Sequence, residues 1–152
     1  MADALGQLPV RGLVTTGPSV NPATLRAPAN VVVLRSAPHA QVFREADAVV
    51  THAGHGTVIR ALASGLPLVC IPMGRDQPDI AARGVHRGAG LRLSPGASPA
   101  KLRKAIQRVV TEPHFREAAQ RLAAAIARET ESDRGVEELE SLAARRVRAT
   151  QV

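Results

Sequence analysis

The middle of this chain has the pattern of a strand, a glycine-containing turn and a helix in immediate succession. The apolar run Val49-Val50-Thr51 predicts a buried strand, and the residues His52-Ala53-Gly54-His55-Gly56 that follow it predict a tight turn. A helix that begins directly after such a turn directs unpaired N–H groups and the positive end of its dipole toward one point in space. This arrangement favours an anion, and in particular a phosphate group, at the start of the helix.

Four residues of this stretch are suited to hold the anion. Gly54 and Gly56 let a ligand approach the backbone because they have no Cβ atom. His52 closes the strand, and the Thr57 hydroxyl falls in the first turn of the predicted helix. His55 is predicted to be a turn or packing residue. The glycines do not form G-x-G-x-x-G and no P-loop lysine follows them, which excludes the two common nucleotide-binding motifs.

Short apolar runs alternate with amphipathic stretches before residue 98, a pattern typical of a parallel sheet covered by helices. The predicted strands span residues 12–15, 31–35, 48–51, 68–71 and 91–93, and the helices between them span 41–46, 57–64 and 78–87. The remainder is helical. Ser98 is an N-cap followed by Pro99, a second helix opens at Pro113, and a third runs from Gly135 to Arg148. The predicted fold class is α/β with C-terminal helices.

The composition is that of an ordinary globular domain, with 45% hydrophobic and 22% charged residues among 152. No apolar run approaches the roughly 18 residues that a membrane span needs, and the first residues lack a basic and apolar signal, so we expect a cytoplasmic protein. The single cysteine, Cys70, cannot form an internal disulfide. It falls within an apolar run, which predicts a packed core thiol.

The formal net charge is +7, which raises the question of a nucleic-acid partner. We expect none, because the basic residues are scattered along helices and mixed with glutamates. Aromatic residues, which stack on unpaired bases, make up only 1% of the chain. The only basic cluster is Arg145-Arg146-Val147-Arg148, which is expected to be either a frayed tail or a cover for a neighbouring surface.

Polar segments follow three of the predicted strands. Residues 35–39 end the second strand, residues 52–57 end the third, and residues 72–77 end the fourth. In an open parallel sheet, ligands bind outside the carboxyl ends of the strands. The three segments therefore predict a crevice that holds a base, a diphosphate and a hydroxyl-rich group in turn. These are the three parts of a nucleotide sugar.

Five linked motifs carry a more specific signal. They are Pro38-His39, His52 to Thr57, Ala61 to Pro67, Pro72 to Gln77, and Gly88-Ala89-Gly90. In this order they resemble the donor-binding half of the GT-B glycosyltransferases, the family of plant UDP-glycosyltransferases and bacterial macrolide glycosyltransferases. The resemblance covers roughly residues 10 to 130 and depends on several motifs rather than one. It implies a Rossmann-like parallel sheet flanked by helices, as in the C-terminal half of a GT-B fold.

The resemblance also implies a role for each site residue. It assigns the donor diphosphate to His52, Gly54, Gly56 and Thr57, the sugar hydroxyls to Asp76 and Gln77, and the base to Ser36, Ala37 and His39. It implies a UDP- or TDP-sugar as the substrate and no catalytic residue in this half. It implies neither a metal ion nor a further cofactor, because the helix N-terminus and His52 stabilise the charge that a cation stabilises elsewhere.

Two positions depart from the family pattern. Where many relatives have a tryptophan that stacks on the base, this chain has Ser36. Where many have a glutamate that binds the ribose hydroxyls, it has Arg60. An arginine cannot accept a hydrogen bond from a hydroxyl, although it can bind a phosphate or a carboxylate. The two departures bear on which base is bound and on how the ribose is held.

The resemblance also implies parts that this chain lacks. A GT-B enzyme has a second domain that holds the acceptor and the catalytic base, and its donor domain begins with a strand that has no match here. Residues 1–152 therefore correspond to a donor domain without its first strand, in which residues 98–148 form the helical part. We expect the chain alone to transfer no sugar, and we expect it to self-associate through surfaces that a missing domain and a missing strand leave open.

Two other functions remain open. One is a non-catalytic GT-B-like partner protein, which Ser36 and Arg60 slightly favour, and the other is a relative of the sugar-nucleotide epimerases. The site residues also have structural alternatives. The ring of His52 has nearby backbone groups as potential partners, Asp76 and Gln77 fit the N-cap and first turn of the following helix, and His39 fits the start of a helix.

Overall fold

The structure, a computed structural model, describes residues 2–131 and 134–149. The strands are β1 (Gly12–Thr15), β2 (Val31–Leu34), β3 (Val49–Thr51), β4 (Leu68–Cys70) and β5 (Gly90–Arg92). The helices are α1 (Ala2–Leu5), α2 (His39–Glu45), α3 (His55–Ala63), α4 (Gln77–His86), α5 (Pro99–Thr111), α6 (Pro113–Glu131) and α7 (Arg134–Ala149). A short 3₁₀ turn covers Pro22–Thr24. Among the described residues, no helix is both long and apolar enough to cross a membrane.

The five predicted strands and six predicted helices are confirmed, with boundaries that differ by up to two residues. A further short helix of four residues, α1, precedes β1. The predicted start of α5 is confirmed in detail, because the Ser98 hydroxyl accepts a hydrogen bond from the N–H of Lys101 at 3.3 Å. The start of α3 was predicted at Thr57 and lies at His55, so the two residues before Thr57 belong to the helix.

The strands are parallel, as predicted, but they form two sheets. In the first sheet β1 pairs with β2, with Gly12 opposite Val31. In the second sheet β3, β4 and β5 pair in that order, with Val49 opposite Leu68 and Leu68 opposite Gly90. The predicted arrangement of parallel strands flanked by helices is confirmed, and the structure divides these strands between two hydrogen-bonded sheets. Among the described residues, no ladder joins β1 to β3.

The core has two parts that lie on opposite faces of the second sheet. On one face, Val69 packs with residues of α1 and α5, including Leu5 and Ile106. On the other face, Leu68 and Cys70 pack with residues of α3 and α6, namely Val58, Ala61, Leu62, Ala118 and Ala119. Strand β4 is therefore buried on both faces, as is usual for a parallel strand between helices. Burial raises the pKa of the Cys70 thiol to about 11, and the prediction of a core thiol is confirmed.

The C-terminal helices differ in how they pack. The predicted apolar stripe of α5 is buried at Leu102, Ala105, Ile106 and Val109, and α6 buries Phe115 and Ala119. The stripe of α7 is not covered, because Val136, Leu139 and Leu142 are exposed. The side chains of the basic cluster at residues 145–148 lie outside the described residues.

Candidate functional site

Helix α3 begins with free backbone donors at the carboxyl end of β3. Gly54 is its N-cap, and the Gly54 carbonyl accepts hydrogen bonds from the N–H groups of Thr57 and Val58, both at 3.1 Å. Within the described residues, the N–H groups of His55 and Gly56 have no hydrogen-bond acceptor. The free donors that face an incoming anion are therefore those of His55 and Gly56 rather than that of Thr57. These two N–H groups are accessible, because the space that a Cβ on Gly56 would occupy is open.

The turn before α3 is strained. Ala53 has a φ of 68°, in the left-handed region that a residue with a side chain rarely adopts, and it is fully buried. The buried Thr51 hydroxyl accepts a hydrogen bond from the Ala53 N–H at 3.2 Å, which stabilises this conformation. Within the described residues, the only other non-glycine residue with a positive φ is Arg75, at 58°, in the loop that follows β4. Strain of this kind often occurs at functional sites.

The His52 side chain is exposed and lies close to the backbone of Gly54. A Cβ atom placed on Gly54 would lie 2.7 Å from His52 Nε2, so the ring occupies the space beside this glycine and would have to move to admit a side chain there. Within the described residues, no hydrogen bond joins the ring nitrogens of His52 to the backbone groups that the structural alternative expects as partners. The His52 ring is therefore available to a ligand at the start of α3.

A second part of the site lies between α2 and α3. Ala37, Pro38, His39, Ala40 and Arg60 line an open pocket of about 440 Å³. Helix α2 begins at His39, whose ring stacks on Phe43 with the centroids 4.9 Å apart. Ser36 is exposed and does not line the pocket. The loop after β2 and the first turns of α3 are therefore neighbours, as expected for adjacent loops at one end of a sheet.

Arg60 connects this pocket with the start of α3. Its Nη1 atom lies 3.9 Å from the position that a Cβ on Gly56 would take. Side chains in a helix lean toward its N-terminus, which is why a residue four positions after Gly56 reaches back over it. Arg60 therefore adds a positive charge beside the free N–H groups. Sequence reasoning placed Arg60 at the ribose position but did not anticipate this contact.

The loop after β4 presents a carboxylate and an amide. The Gln77 side-chain oxygen accepts hydrogen bonds from the N–H groups of Met73 at 2.8 Å and Gly74 at 3.2 Å, which stabilises the loop. Its amide nitrogen remains available to donate. Asp76 is exposed and occupies the N-cap position of α4, but its carboxylate makes no capping hydrogen bond. The structural alternative is therefore correct about the positions of Asp76 and Gln77, but the Asp76 side chain does not cap the helix, whereas the Gln77 side chain stabilises the loop.

The family described as the C-terminal domain of erythromycin biosynthesis protein CIII-like proteins matches residues 2–142. This chain belongs to that family. The match includes all the site residues described above. The two sheets and their flanking helices form the Rossmann-like, C-terminal half of a GT-B glycosyltransferase fold, which confirms the fold class and the resemblance found in the sequence.

Similar proteins include glycosyltransferases from bacteria and fungi. The chain is 42% identical over 96 residues to 4'-demethylrebeccamycin synthase of Lentzea aerocolonigenes, and 32% identical over 96 residues to UDP-glycosyltransferase 2 of Phaeomoniella chlamydospora. Each alignment covers 62% of this chain. The chain spans only 23% and 21% of the lengths of these two relatives.

Two solved structures resemble nearly the whole chain. The calicheamicin glycosyltransferase CalG4 superimposes with a TM-score of 0.84 at 30% identity, over 95% of this chain and 38% of that protein. The glycosyltransferase VinC, solved in complex with dTDP, superimposes with a TM-score of 0.81 at 26% identity, over 95% of this chain and 37% of that protein. This chain thus corresponds to a part of these enzymes.

Proposed function

We propose that this chain binds a UDP- or TDP-sugar and holds the sugar for transfer to a small-molecule acceptor on another domain. The observation that carries the proposal is the start of α3. There, the free N–H groups of His55 and Gly56, the exposed His52 and the Arg60 guanidinium surround open space beside Gly56. The VinC structure, which contains dTDP and has a similar fold, supports the choice of ligand.

The diphosphate binds at the start of α3 in this proposal. The N–H groups of His55 and Gly56 donate to its oxygens, and the helix dipole favours its negative charge. His52 and the Thr57 hydroxyl donate from the two sides, and Gly54 keeps the backbone accessible. These donors stabilise the charge that develops on the departing diphosphate when the sugar is transferred.

The nucleoside occupies the pocket between α2 and α3. Its base lies along Ala37 and His39, and Arg60 lies between the ribose and the phosphates. Ser36 does not line this pocket, so we assign it a weaker contact with the base than Ala37 and His39 make. Because Arg60 only donates hydrogen bonds, it favours phosphate oxygens over ribose hydroxyls. The base pocket accepts either uracil or thymine, since no side chain on its lining separates the two.

The sugar lies toward the loop after β4. The Asp76 carboxylate accepts hydrogen bonds from sugar hydroxyls, and the Gln77 amide nitrogen donates to them. The Gln77 oxygen stays bound to the N–H groups of Met73 and Gly74, so Gln77 presents a fixed donor. The acceptor and the catalytic base belong to a domain outside this chain. Self-association of the isolated chain remains a prediction, which light scattering would measure.

A calorimetric titration with UDP and TDP tests this proposal. We expect a Kd on the order of 10 µM for both, since the nucleoside and diphosphate contacts are present without the second domain. Uridine and thymidine serve as controls, and they are expected to bind at least about tenfold more weakly because they lack the diphosphate. Absence of binding up to about 1 mM would contradict the proposal, and tight association with another protein would then favour the non-catalytic partner.

The contribution of Arg60 can be measured separately. Arg60→Gln keeps a polar side chain of similar size but removes the charge, so we expect UDP affinity to fall about fivefold. The dependence of affinity on salt should also become weaker. Arg83→Gln, which removes a charge from an exposed position of α4, is the matched control and is expected to change neither quantity. Unchanged affinity in Arg60→Gln would show that Arg60 does not contact the phosphates.

A further inference from the structure

The side chains that line the pocket between α2 and α3 donate hydrogen bonds more readily than they accept them. The lining consists of Ala37, Pro38, His39, Ala40 and Arg60, and no carboxylate is among these residues. Neither α2 nor α3 has an acidic residue in its first turn. The proton of a hydroxyl group needs an acceptor. A hydroxyl that enters this pocket therefore finds few partners for its proton.

Arg60 is the charged residue of this lining, and its guanidinium is free to bind a ligand. Within the described part of the chain, it forms no ion pair and no hydrogen bond to a protein group. Its Nη1 atom lies beside Gly56, where the N–H groups of His55 and Gly56 are also free. A guanidinium has five N–H donors and no acceptor. Arg60 is thus suited to phosphate oxygens and cannot accept the proton of a ribose hydroxyl.

The backbone carbonyls at the start of α2 leave one acceptor for the base. The Pro38 carbonyl accepts hydrogen bonds from the N–H groups of Gln41 and Val42, both at 3.1 Å. The Ala37 carbonyl makes no hydrogen bond within the described residues. Uracil and thymine each have one N–H group that needs an acceptor, and the proposed function places the base beside Ala37. The Ala37 carbonyl is therefore assigned to the base rather than to the ribose.

His39 is the one lining side chain that can accept a hydrogen bond, through a nitrogen of its neutral ring. The ring stacks on Phe43, with the centroids 4.9 Å apart and the planes inclined by 14°. This stacking holds the ring in the first turn of α2, along which the proposed function places the base. His39 is therefore also assigned to the base.

We propose that this site does not recognise the 2′-hydroxyl of the nucleotide, so that ribonucleoside and 2′-deoxyribonucleoside diphosphates bind equally well. The inference rests on the proposed function, because it concerns the nucleoside part of the same ligand. A site selects for a hydroxyl when the analogue that lacks it leaves a protein acceptor unpaired. The lining of this pocket has no carboxylate that could be left unpaired, and Arg60 binds the phosphates. The base and the diphosphate therefore supply the affinity.

The nucleotide that isolates this effect is 2′-deoxyuridine diphosphate, dUDP. UDP and TDP differ in two places, the 2′-hydroxyl of the sugar ring and the methyl group of the base. Equal affinities for UDP and TDP would leave open whether these two differences cancel. Because dUDP has the base of UDP and the sugar ring of TDP, the comparison of UDP with dUDP changes the hydroxyl alone.

Calorimetric titration of the full chain with UDP and dUDP tests the proposal. We expect the two Kd values to agree within about threefold, whereas a hydrogen bond from the hydroxyl to a protein acceptor corresponds to about fivefold. If dUDP binds more than about threefold more weakly than UDP, the inference is overturned and the proposed function stands. If neither nucleotide binds, the proposed function fails and the inference fails with it.

Arg60→Glu and Arg60→Met test whether Arg60 is the reason for this lack of selection. Both variants remove the cation and should weaken the binding of both nucleotides, but only glutamate adds an acceptor. In Arg60→Glu, dUDP should bind at least about fivefold more weakly than UDP. In Arg60→Met, the two nucleotides should still agree within about threefold. NMR titration measures these weaker affinities.

Both variants are expected to fold, because Arg60 is exposed on α3 and makes no hydrogen bond or ion pair within the described residues that would be lost. Thermal unfolding checks this expectation. The same ratio of UDP to dUDP affinity in Arg60→Glu and Arg60→Met would overturn the role given to Arg60, because it would mean that the side chain at position 60 does not reach the ribose. Loss of all binding in Arg60→Glu alone would overturn it as well, since position 60 would then meet only the phosphates.

Discussion

Gly56→Ala should weaken the binding of UDP and TDP by at least about tenfold while leaving the fold intact. The free N–H groups of His55 and Gly56 are accessible because Gly56 has no side chain, and an added Cβ would occupy space that we propose for the diphosphate. The loss of one or two hydrogen bonds to a charged group corresponds to about 1.5 kcal/mol or more. Calorimetric titration of the variant with both nucleotides measures this loss.

The fold of Gly56→Ala is expected to remain stable for two reasons. The nearest atom to the new Cβ would be Arg60 Nη1 at 3.9 Å, which is an ordinary contact, and the φ of Gly56 is not positive. Alanine also has a higher helix propensity than glycine. The thermal midpoint should therefore be unchanged or slightly raised.

Gly135→Ala is a matched control for this experiment. It makes the same substitution in the first turn of α7, where an added Cβ would meet nothing within 4 Å. We expect nucleotide binding to be unaffected in this variant. If Gly56→Ala and Gly135→Ala both bind UDP like the unmodified chain, the diphosphate does not lie on the first turn of α3.

Gly90→Ala should destabilise the fold by about 3 kcal/mol or more. A Cβ on Gly90 would overlap the carbonyl oxygen of Leu68 and lie 2.9 Å from its carbonyl carbon. These are backbone atoms of the fully buried strand β4, so the overlap can be relieved only if β5 moves away from β4. Thermal unfolding followed by circular dichroism should show a midpoint roughly 10 °C lower.

The control for Gly90→Ala is Gly96→Ala. Gly96 lies in the loop between β5 and α5, and a Cβ there would meet nothing within 4 Å. Neither glycine has a positive φ, so the comparison separates crowding from backbone conformation. A change of less than about 0.5 kcal/mol is expected for Gly96→Ala. Equal stability of the two variants would contradict the close pairing of β4 and β5.

Much of the local structure was predictable because it depends on neighbours in the sequence. The run at Val49 to Thr51 is strand because its residues are apolar and β-branched, and α5 starts where Ser98 and Pro99 have the residue types of an N-cap and a first turn. The placement of three polar loops at one end of the sheet followed from the parallel order of the strands. In the structure, residues 37–40, which follow β2, share a pocket with Arg60 of α3, the helix that follows β3.

Other features of the site had no signal in the sequence. Alanine and arginine give no indication of a left-handed backbone, yet Ala53 and Arg75 both adopt one. An aspartate before a helix predicts an N-cap, yet the Asp76 carboxylate makes no capping bond. These outcomes depend on groups that are close in space, such as the buried Thr51 hydroxyl, which accepts from the Ala53 N–H.

The amino-acid sequence by itself determined the order of strands and helices, the glycine turn before α3 and the family, because propensity, capping and motif spacing act over a few residues. Only the tertiary structure decided that the strands form two sheets, that Arg60 lies over Gly56, and that the stripe of α7 stays exposed. The physical reason is that hydrogen bonds between strands and contacts between helices depend on what the rest of the chain supplies as a partner. A strand pattern specifies which groups need partners, and the packed molecule decides which of them are paired.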